Sequence, residues 1–599
     1  MKEKKKLKLK YGTLSNTFFA LKWLFKIAPA YTVYQILNTV IGDVITTFEH
    51  TFLPAYIIHC IENQKSITSV LAFLIPVAAA VAAKVTIGPF VSAYVGPKFE
   101  VKFKKAVNLT LYKKAVEMEI SKYDNSEFYN DFVWAMRQAP GHITSTLQDF
   151  SGLLSYVVSI VITGSFIIVT DKVTLLIAAV IVPTALFMPR IVNKLFVKRE
   201  EEMVPIRRKR DYVNRVFYLS DFIKDIKTGN MADKLKKDFK EASDGMEKPI
   251  VKFGKKIVPL QILNISISDI MGDGVFLLYL FYQAIVKGKY GLGILLGLYN
   301  SSNRFIGSIY NFTYRFPNFQ NHSLYIDKLR TFLETQNEMP DDGTLAVPNS
   351  GDIELKDVKF TYKGNQEPTI NGISMSIKKG EKIALVGYNG AGKTTLIKLI
   401  LRLYDPTQGS IYFGDENLKE YPINKYREKY GVLFQDFEIV AASIAQNISM
   451  SDGEFDKEKA DAVIKKVAFA EKLQSLPEGY ETQLTKEFSD NGVNLSGGEA
   501  QKLALARVLY SSANVIILDE PSSALDPIAE YELNKAVTEL SGEKTVIIIS
   551  HRLSTTRFVD KIYMLEKGRI IEQGDHSTLL KQNGKYAEMF SAQAEKYVS

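Results

Sequence analysis

Residues 381–395, EKIALVGYNGAGKTT, place a glycine-rich loop between an apolar β-type run and the start of a helix, and that order leaves the chain few choices of fold. Ile383 to Val386 read as a buried strand. Gly387, Asn389, Gly390 and Gly392 lie in the loop, and Lys393, Thr394 and Thr395 open the helix that continues as LIKLILRLY. This is G-x-x-x-x-G-K-T in the strand–loop–helix setting it requires. Glycines let successive backbone N–H groups turn inward around phosphate oxygens, and the helix N-terminus adds its positive end. Lys393 brings a point charge to the β- and γ-phosphates, and the Thr394 hydroxyl suits Mg²⁺. The stretch therefore implies a bound nucleoside triphosphate.

A second stretch supplies acids. NVIILDEP, 514–521, is an apolar strand that ends in Asp519 and Glu520. A buried strand delivering two carboxylates at its C-terminal end is what a Mg²⁺ and water site needs. Asp519 is expected to hold the metal and its waters, and Glu520 to polarise the attacking water as general base.

The first half of the chain has a different character. Across 599 residues the hydrophobic content is 46%, an ordinary value that conceals long apolar runs before about residue 320 and a mixed, glycine-punctuated remainder. One membrane half and one soluble half give this mean. The apolar pattern predicts a short interfacial helix over 16–26 and six spans, at 28–60, 66–97, 145–169, 174–196, 257–286 and 290–320. Short connections follow the first, third and fifth spans, and long charged ones follow the second and fourth. The net charge of +9 comes largely from the N-terminus, 98–114 and 194–256. Basic stretches flanking spans place both termini and both long connections in the cytoplasm and argue against a nucleic-acid partner. The single cysteine, Cys60, can form no internal disulfide and reads as a small packed residue.

Several predicted spans carry groups that lipid does not tolerate: Asp43, Glu49, His50 and His59, then Lys84, then Asp269 and Asp273, then Asn300, Asn303, Arg304, Asn311 and Arg315. Such groups face a bundle interior or a water-filled cavity. Pairing between helices and lining a cavity for an amphipathic molecule are both open to them. The last span adds Tyr299, Tyr310, Phe312, Tyr314 and Phe316. Pro, Gly and Asp in PDDGTLAVPNSGD mark the end of a linker over 321–350, after which IELKDVKFTY and ISMSIKK read as antiparallel strands.

NLSGGEAQKLALARVLY, 494–510, resembles the signature and following helix of ATP-binding-cassette proteins. The order of phosphate loop, glutamine loop, signature, acidic strand and a later histidine is similar to the whole cassette pattern over about 350–599, and six spans ahead of it resemble the exporter type of half-transporter. The resemblance implies a multidomain fold: an all-α transmembrane domain of six helices, then an α/β P-loop ATPase domain with an antiparallel β subdomain and a helical subdomain. The expected domains are 1–27, the N-terminus and interfacial helix; 28–320, the membrane domain; 321–350, the linker; and 351–599, the nucleotide-binding domain.

The same resemblance gives roles to matching residues. Tyr362 stacks on adenine, and Gln435 reaches Mg²⁺ and the transporter helices. Ser496, Gly497 and Gly498 bind the γ-phosphate held by the opposite subunit. Asp526 links the two sites, and His551 is the switch histidine near the γ-phosphate. EISKYDNSEFYND, 119–131, and DFIKDIKTGN, 221–230, resemble the coupling segments. Glu499 stands where glutamine is usual, and KEFSDNG at 486–492 replaces a glycine- and arginine-containing run.

These features imply ATP-driven export of an amphipathic or hydrophobic drug, peptide or lipid across a bacterial plasma membrane, with ATP and Mg²⁺ as cofactors. Two cassettes must meet, from a second copy of this chain or from a paralogous half-transporter for which this is the intact half, peptide and bacteriocin exporters included. A membrane protein gated or regulated by ATP without uphill transport is the reading from another class. A soluble cassette ATPase working on nucleic acid is opposed by the six spans.

Overall fold

The computed structural model describes residues 9–522, 530, 531, 535, 544–550 and 555–598. The chain divides into two units, one comprising the residues up to Glu117 with Ser126–Thr335, the other Met118–Asn125 with Gln336 onward.

The first unit is helical. A short helix, Thr13–Ile27, precedes six long helical runs, among the described residues, at 29–62, 67–117, 139–170, 172–218, 231–286 and 292–334. Among the described residues three helices, Ile67–Glu117, Ala139–Thr170 and Lys172–Tyr218, are long and apolar enough to cross a bilayer. The other long runs are interrupted by more polar side chains, and the fifth keeps an apolar stretch at Phe276–Val286. π-Helical turns at Phe48–Phe52 and Val91–Val95 lie beside Pro54 and Pro89, where a missing N–H breaks the regular ladder.

The long helices continue well past the stretches predicted to span, and Pro205 and Pro249 lie within their extensions without ending them. The last one, Leu292–Glu334, runs through the first part of the expected linker. His322, Ser323, Ile326, Asp327, Leu329 and Phe332 form its buried stripe there, and helix-breaking residues begin only at Pro340. Asn16 of the short N-terminal helix donates to Ser323 Oγ at 2.9 Å and to Asp327 Oδ1 at 3.2 Å, which ties the two helices together.

Several charges within the helices of this unit have partners. Arg304 contacts Asp43 Oδ1 at 2.5 Å and Thr47 Oγ1 at 2.8 Å, and Lys84 donates to Thr46 at 2.5 Å. Arg315 pairs with Asp149 at 2.7 Å, and His322 Nε2 meets the other Asp149 oxygen at 3.0 Å. Asn300 donates to the His50 carbonyl at 3.3 Å. On the last helix, Tyr310 packs on Tyr314 and Phe312 on Phe316, each one helical turn away. Cys60 is buried and free. The side chains of Asp269 and Asp273 lie outside the described residues.

The second unit is built on two sheets. Strands β1 (Ile353–Phe360), β2 (Ile370–Ile377), β4 (Gln408–Phe413) and β5 (Glu416–Asn417) form an antiparallel sheet in the order β2-β1-β4-β5. The other sheet contains β3 (Lys382–Val386), β6 (Tyr430–Leu433), β7 (Val515–Asp519), β8 (Thr545–Ile549), β9 (Lys561–Glu566) and β10 (Arg569–Gly574). Its order is β10-β9-β3-β8-β7-β6, parallel except for the β9–β10 hairpin. β7 and β8 are buried at every position, which explains their uninterrupted apolar sequences. A helical region containing Ile444–Ser449, Lys457–Lys466 and Gly497–Tyr510 packs beside this sheet around Leu503, Ala504 and Phe469.

Candidate active site

In an open parallel sheet, ligand-binding groups gather where strands end and helices begin. The sheet order puts β3 and β7 on either side of β8, so the phosphate loop after β3 and the acids at the end of β7 reach the same edge.

The loop conformation needs its glycines. Gly387, Gly390 and Gly392 have φ of 149°, 80° and 101°. A Cβ on Gly387 would lie 2.3 Å from the Leu565 carbonyl oxygen, whereas one on Gly390 would meet no protein atom. Gly387 is thus fixed by packing and Gly390 by its left-handed backbone. Gly392 precedes the helix Lys393–Ile400, whose Leu396, Ile397, Leu399 and Ile400 are buried in the core. Asn389 is exposed at the loop crest, and Thr395 is buried.

Lys393 is 7% exposed, and its Nζ donates to the carbonyls of Gly387 at 2.8 Å and Tyr388 at 3.2 Å. Burial pulls its ammonium below the ordinary lysine value, and the Glu520 and Asp519 carboxylates oppose that shift. The chain thus folds its lysine back across the loop that would hold phosphate.

Asp519 is 2% exposed and accepts a hydrogen bond from Thr394 Oγ1 at 3.0 Å through Oδ2. Its other oxygen, Oδ1, is buried with no hydrogen-bond partner among the described residues. Burial pushes this carboxyl above the ordinary aspartate value, opposed by the Thr394 hydrogen bond, with Glu520 adding to the rise. An orphaned carboxylate oxygen beside a threonine hydroxyl fits a hard divalent cation with oxygen ligands. Mg²⁺ bound there would neutralise phosphate charge and hold coordinated water; Thr394 and Asp519 are the residues to hold it.

Glu520 adopts a left-handed backbone, φ 54°, at the end of β7, and its N–H donates to the Ile549 carbonyl at 2.9 Å. The sharp turn aims the half-buried side chain away from the strand. Gln435 follows β6, the neighbour of β7, and its Nε2 donates to Glu520 Oε2 at 3.2 Å. Gln435, Glu520, Asp519, Thr394 and Lys393 are therefore brought into one group. Tyr362 joins its margin, with its hydroxyl 3.2 Å from Thr395 Oγ1 and its ring edge-on to Phe360.

The signature residues behave differently. Ser496 and Gly497 are exposed at the start of the helix Gly497–Tyr510. The Ser496 hydroxyl accepts from the Glu499 N–H at 3.4 Å, and Glu499 Oε2 accepts from the Ser496 N–H at 2.8 Å, a reciprocal cap. Among the described residues, Ser496, Gly497 and Gly498 make no hydrogen bond to the phosphate loop of their own chain. Gln501, buried one turn further on, donates to the Glu520 carbonyl at 3.1 Å and joins the signature helix to the acidic strand. Nothing local in the sequence marks Gln501, because its partner carbonyl lies 19 residues further on, at the end of β7. Asp526 and His551 lie outside the described residues.

The stretch 486–492 is an exposed turn between Leu484 and Val493, which pair as a short bridge, and Phe488 at its tip is 86% exposed. Of the two expected coupling segments, 221–230 falls largely on the helix Ser220–Thr228 of the first unit. The other, 119–131, is split: Tyr123 and Asp124 belong with the second unit, whereas Phe128 and Tyr129 lie on the helix Ser126–Arg137 of the first. Phe128 packs there, its ring 5.9 Å from that of Phe332.

A phosphate loop, an acidic strand end and a glutamine converging at one sheet edge, with an antiparallel sheet and a signature helix beside them, define an ATP-binding-cassette ATPase domain. Comparisons with known proteins agree. Residues 370–523 match the family described as ABC transporter. The chain is 39% identical over 255 residues to an ATP-dependent lipid A-core flippase of Haemophilus influenzae strain 86-028NP, covering 42% of this chain and 43% of that one. It is 40% identical over 248 residues to the protein of the same name from Coxiella burnetii, covering 41% of each. The matched part thus spans less than half the length of these relatives. The fold is similar to that of a bacterial Atm1-family ABC exporter with ATP bound, with a TM-score of 0.76 at 21% identity, covering 95% of this chain and 99% of that one. Residues 370–523 form an ABC transporter cassette, and the chain has the fold of an ABC exporter: a helical domain, with helices long and apolar enough to cross a bilayer among its described residues, followed by the α/β cassette.

Proposed function

We propose that this protein is one half of a dimeric exporter that uses ATP binding and hydrolysis to move an amphipathic or hydrophobic molecule outward across the cell membrane. The observation that carries the reading is the meeting of Lys393, the Thr394–Asp519 pair and the Gln435–Glu520 pair at one sheet edge, in a chain with an exporter fold. Lys393 and the loop N–H groups hold the phosphates, Thr394 and Asp519 hold Mg²⁺, Glu520 takes the proton of the attacking water, and Gln435 orients it. Tyr362 stacks on the base.

Exposure of Ser496 and Gly497, with no hydrogen bond to their own phosphate loop among the described residues, supports the role of this signature in a partner's site. Two copies then bury two nucleotides between them. ATP favours the closed pair by contacts that only that state makes, and hydrolysis releases them. The membrane domain follows as a population shift. Basic connections put the cassette in the cytoplasm. Relatives named as lipid A-core flippases favour a lipid among the substrate classes.

The test is steady-state ATPase activity of the purified chain reconstituted alone in lipid, beside Glu520→Gln. Activity lost in the variant supports a self-sufficient homodimer. A well-folded chain that binds ATP and has no activity points instead to a paralogous second half.

A further inference from the structure

The aromatic expected to carry the base is connected to the segment Met118–Asn125 through a side chain outside every motif. Tyr404 is 6% exposed and follows the phosphate-loop helix Lys393–Ile400. Its ring packs edge-on against Tyr362, centroids 5.5 Å apart at 80°, and against Phe360 at 5.3 Å. Its hydroxyl donates to Asp124 Oδ2. Burial, with the Asp124 carboxylate beside it, raises the phenol above its ordinary value and keeps it a donor. Tyr362 in turn reaches Thr395, next to the metal-holding Thr394.

The segment is anchored at its other end too. Glu119 accepts from the N–H groups of Glu338 at 3.1 Å and Met339 at 3.0 Å, so 118–125 cannot shift without disturbing either that cap or the Tyr404 hydrogen bond. A T-shaped pair fixes the tilt of both rings. The tilt of Tyr362 is what a stacked base would feel.

We propose that Tyr404 is a positioning residue of the ATP site: held by Asp124, it sets the orientation of Tyr362 and thereby links base binding to the segment 118–125. The proposal rests on the reading of Tyr362 as the base platform. It predicts a change in KM for ATP, because the reacting groups at Glu520 and Asp519 are untouched.

The experiment is ATPase kinetics of the full chain reconstituted in lipid, with Tyr404→Phe, Asp124→Ala, their combination, Asp124→Asn and Tyr362→Ala. Tyr404→Phe keeps the ring and removes only the donor. Each of Tyr404→Phe and Asp124→Ala is expected to raise KM about fivefold with kcat within about twofold, the loss of one charge-assisted hydrogen bond. The double variant should be no worse than either single one, since both remove the same contact. Asp124→Asn, which keeps an acceptor, should restore KM. A KM raised by Tyr362→Ala but unchanged in Tyr404→Phe and Asp124→Ala overturns the positioning role alone. So does a fall in kcat at constant KM, or additivity in the double variant. An unchanged KM in Tyr362→Ala overturns the base-platform reading and this proposal with it.

Discussion

Thr394 Oγ1 donates to Asp519 Oδ2 across 3.0 Å and leaves Asp519 Oδ1 buried without a hydrogen-bond partner among the described residues. Two residues separated by 125 positions are thus brought together where the proposed Mg²⁺ would bind. Asp519→Asn should lower kcat by about 100-fold or more, the scale of losing a major charge-stabilising group. Mg²⁺ titration of the activity, with binding of a fluorescent ATP analogue measured in parallel, checks this. Retained analogue binding with a lost metal dependence is the expected pattern, and a normal Mg²⁺ response would remove Asp519 from the metal site.

Glu520 is aimed by its left-handed turn and contacted by Gln435. Glu520→Gln should abolish turnover, by about 10²- to 10⁴-fold for loss of a general base, and should trap nucleotide. Hydrolysis at the unsubstituted rate would contradict the assignment.

Glu499 puts a carboxylate at the positive end of the signature helix, where an anion is expected to bind, and Lys472 pairs with it at 3.0 Å. The Ser496 N–H and Lys472 hold that carboxyl below the ordinary glutamate value. Lys472→Met should therefore reduce kcat/KM by about threefold, the scale of a partly exposed ion pair. Glu499→Gln should restore it in the double variant. A defect that persists there would assign Lys472 some role other than charge compensation.

Arg402 is 1% exposed and donates to the carbonyls of Leu418 at 3.0 Å, Tyr421 at 2.9 Å and Pro340 at 2.8 Å. Arg402→Met leaves three carbonyls short of a donor, at a cost of roughly 3 kcal/mol or more. Thermal unfolding of the purified chain should show the cassette transition shifted down. An unshifted transition would mean that other donors replace the guanidinium.

Burial raises the Glu119 carboxyl, but the N–H groups of Met339 and Glu338, the Ser121 hydroxyl and Lys122 outweigh it and hold the group below its ordinary value. A carboxyl lowered on folding adds stability above its unfolded value, about pH 4, and loses it as pH falls through the folded value. Unfolding followed across acid pH should therefore show a steeper decline for the unsubstituted chain than for Glu119→Gln. Parallel profiles would rule out a contribution from this carboxylate.

Whatever depends on neighbours along the chain is legible in the residues alone. The phosphate loop is legible because its strand, glycines and helix start are contiguous, and each has a local reason for its residues. The apolar character of β7 and β8 and the caps at Ser496 and Glu499 follow in the same way. The last long helix runs on through 321–334, where a linker is expected, since nothing in that stretch breaks a helix and its buried stripe continues to Phe332.

Which distant groups meet is set by the fold. Asp149 attracts no notice in sequence, yet Arg315 and His322 both close on it. Gln501, Arg402, Glu119 and Tyr404 acquire their roles from carbonyls, N–H groups and carboxylates far along the chain. The reason is physical: a buried polar group must find a partner, but periodicity and propensity say only that it is buried. Sheet order chooses the partner, and the order β3-β8-β7-β6 brings Lys393, Asp519, Glu520 and Gln435 to one edge.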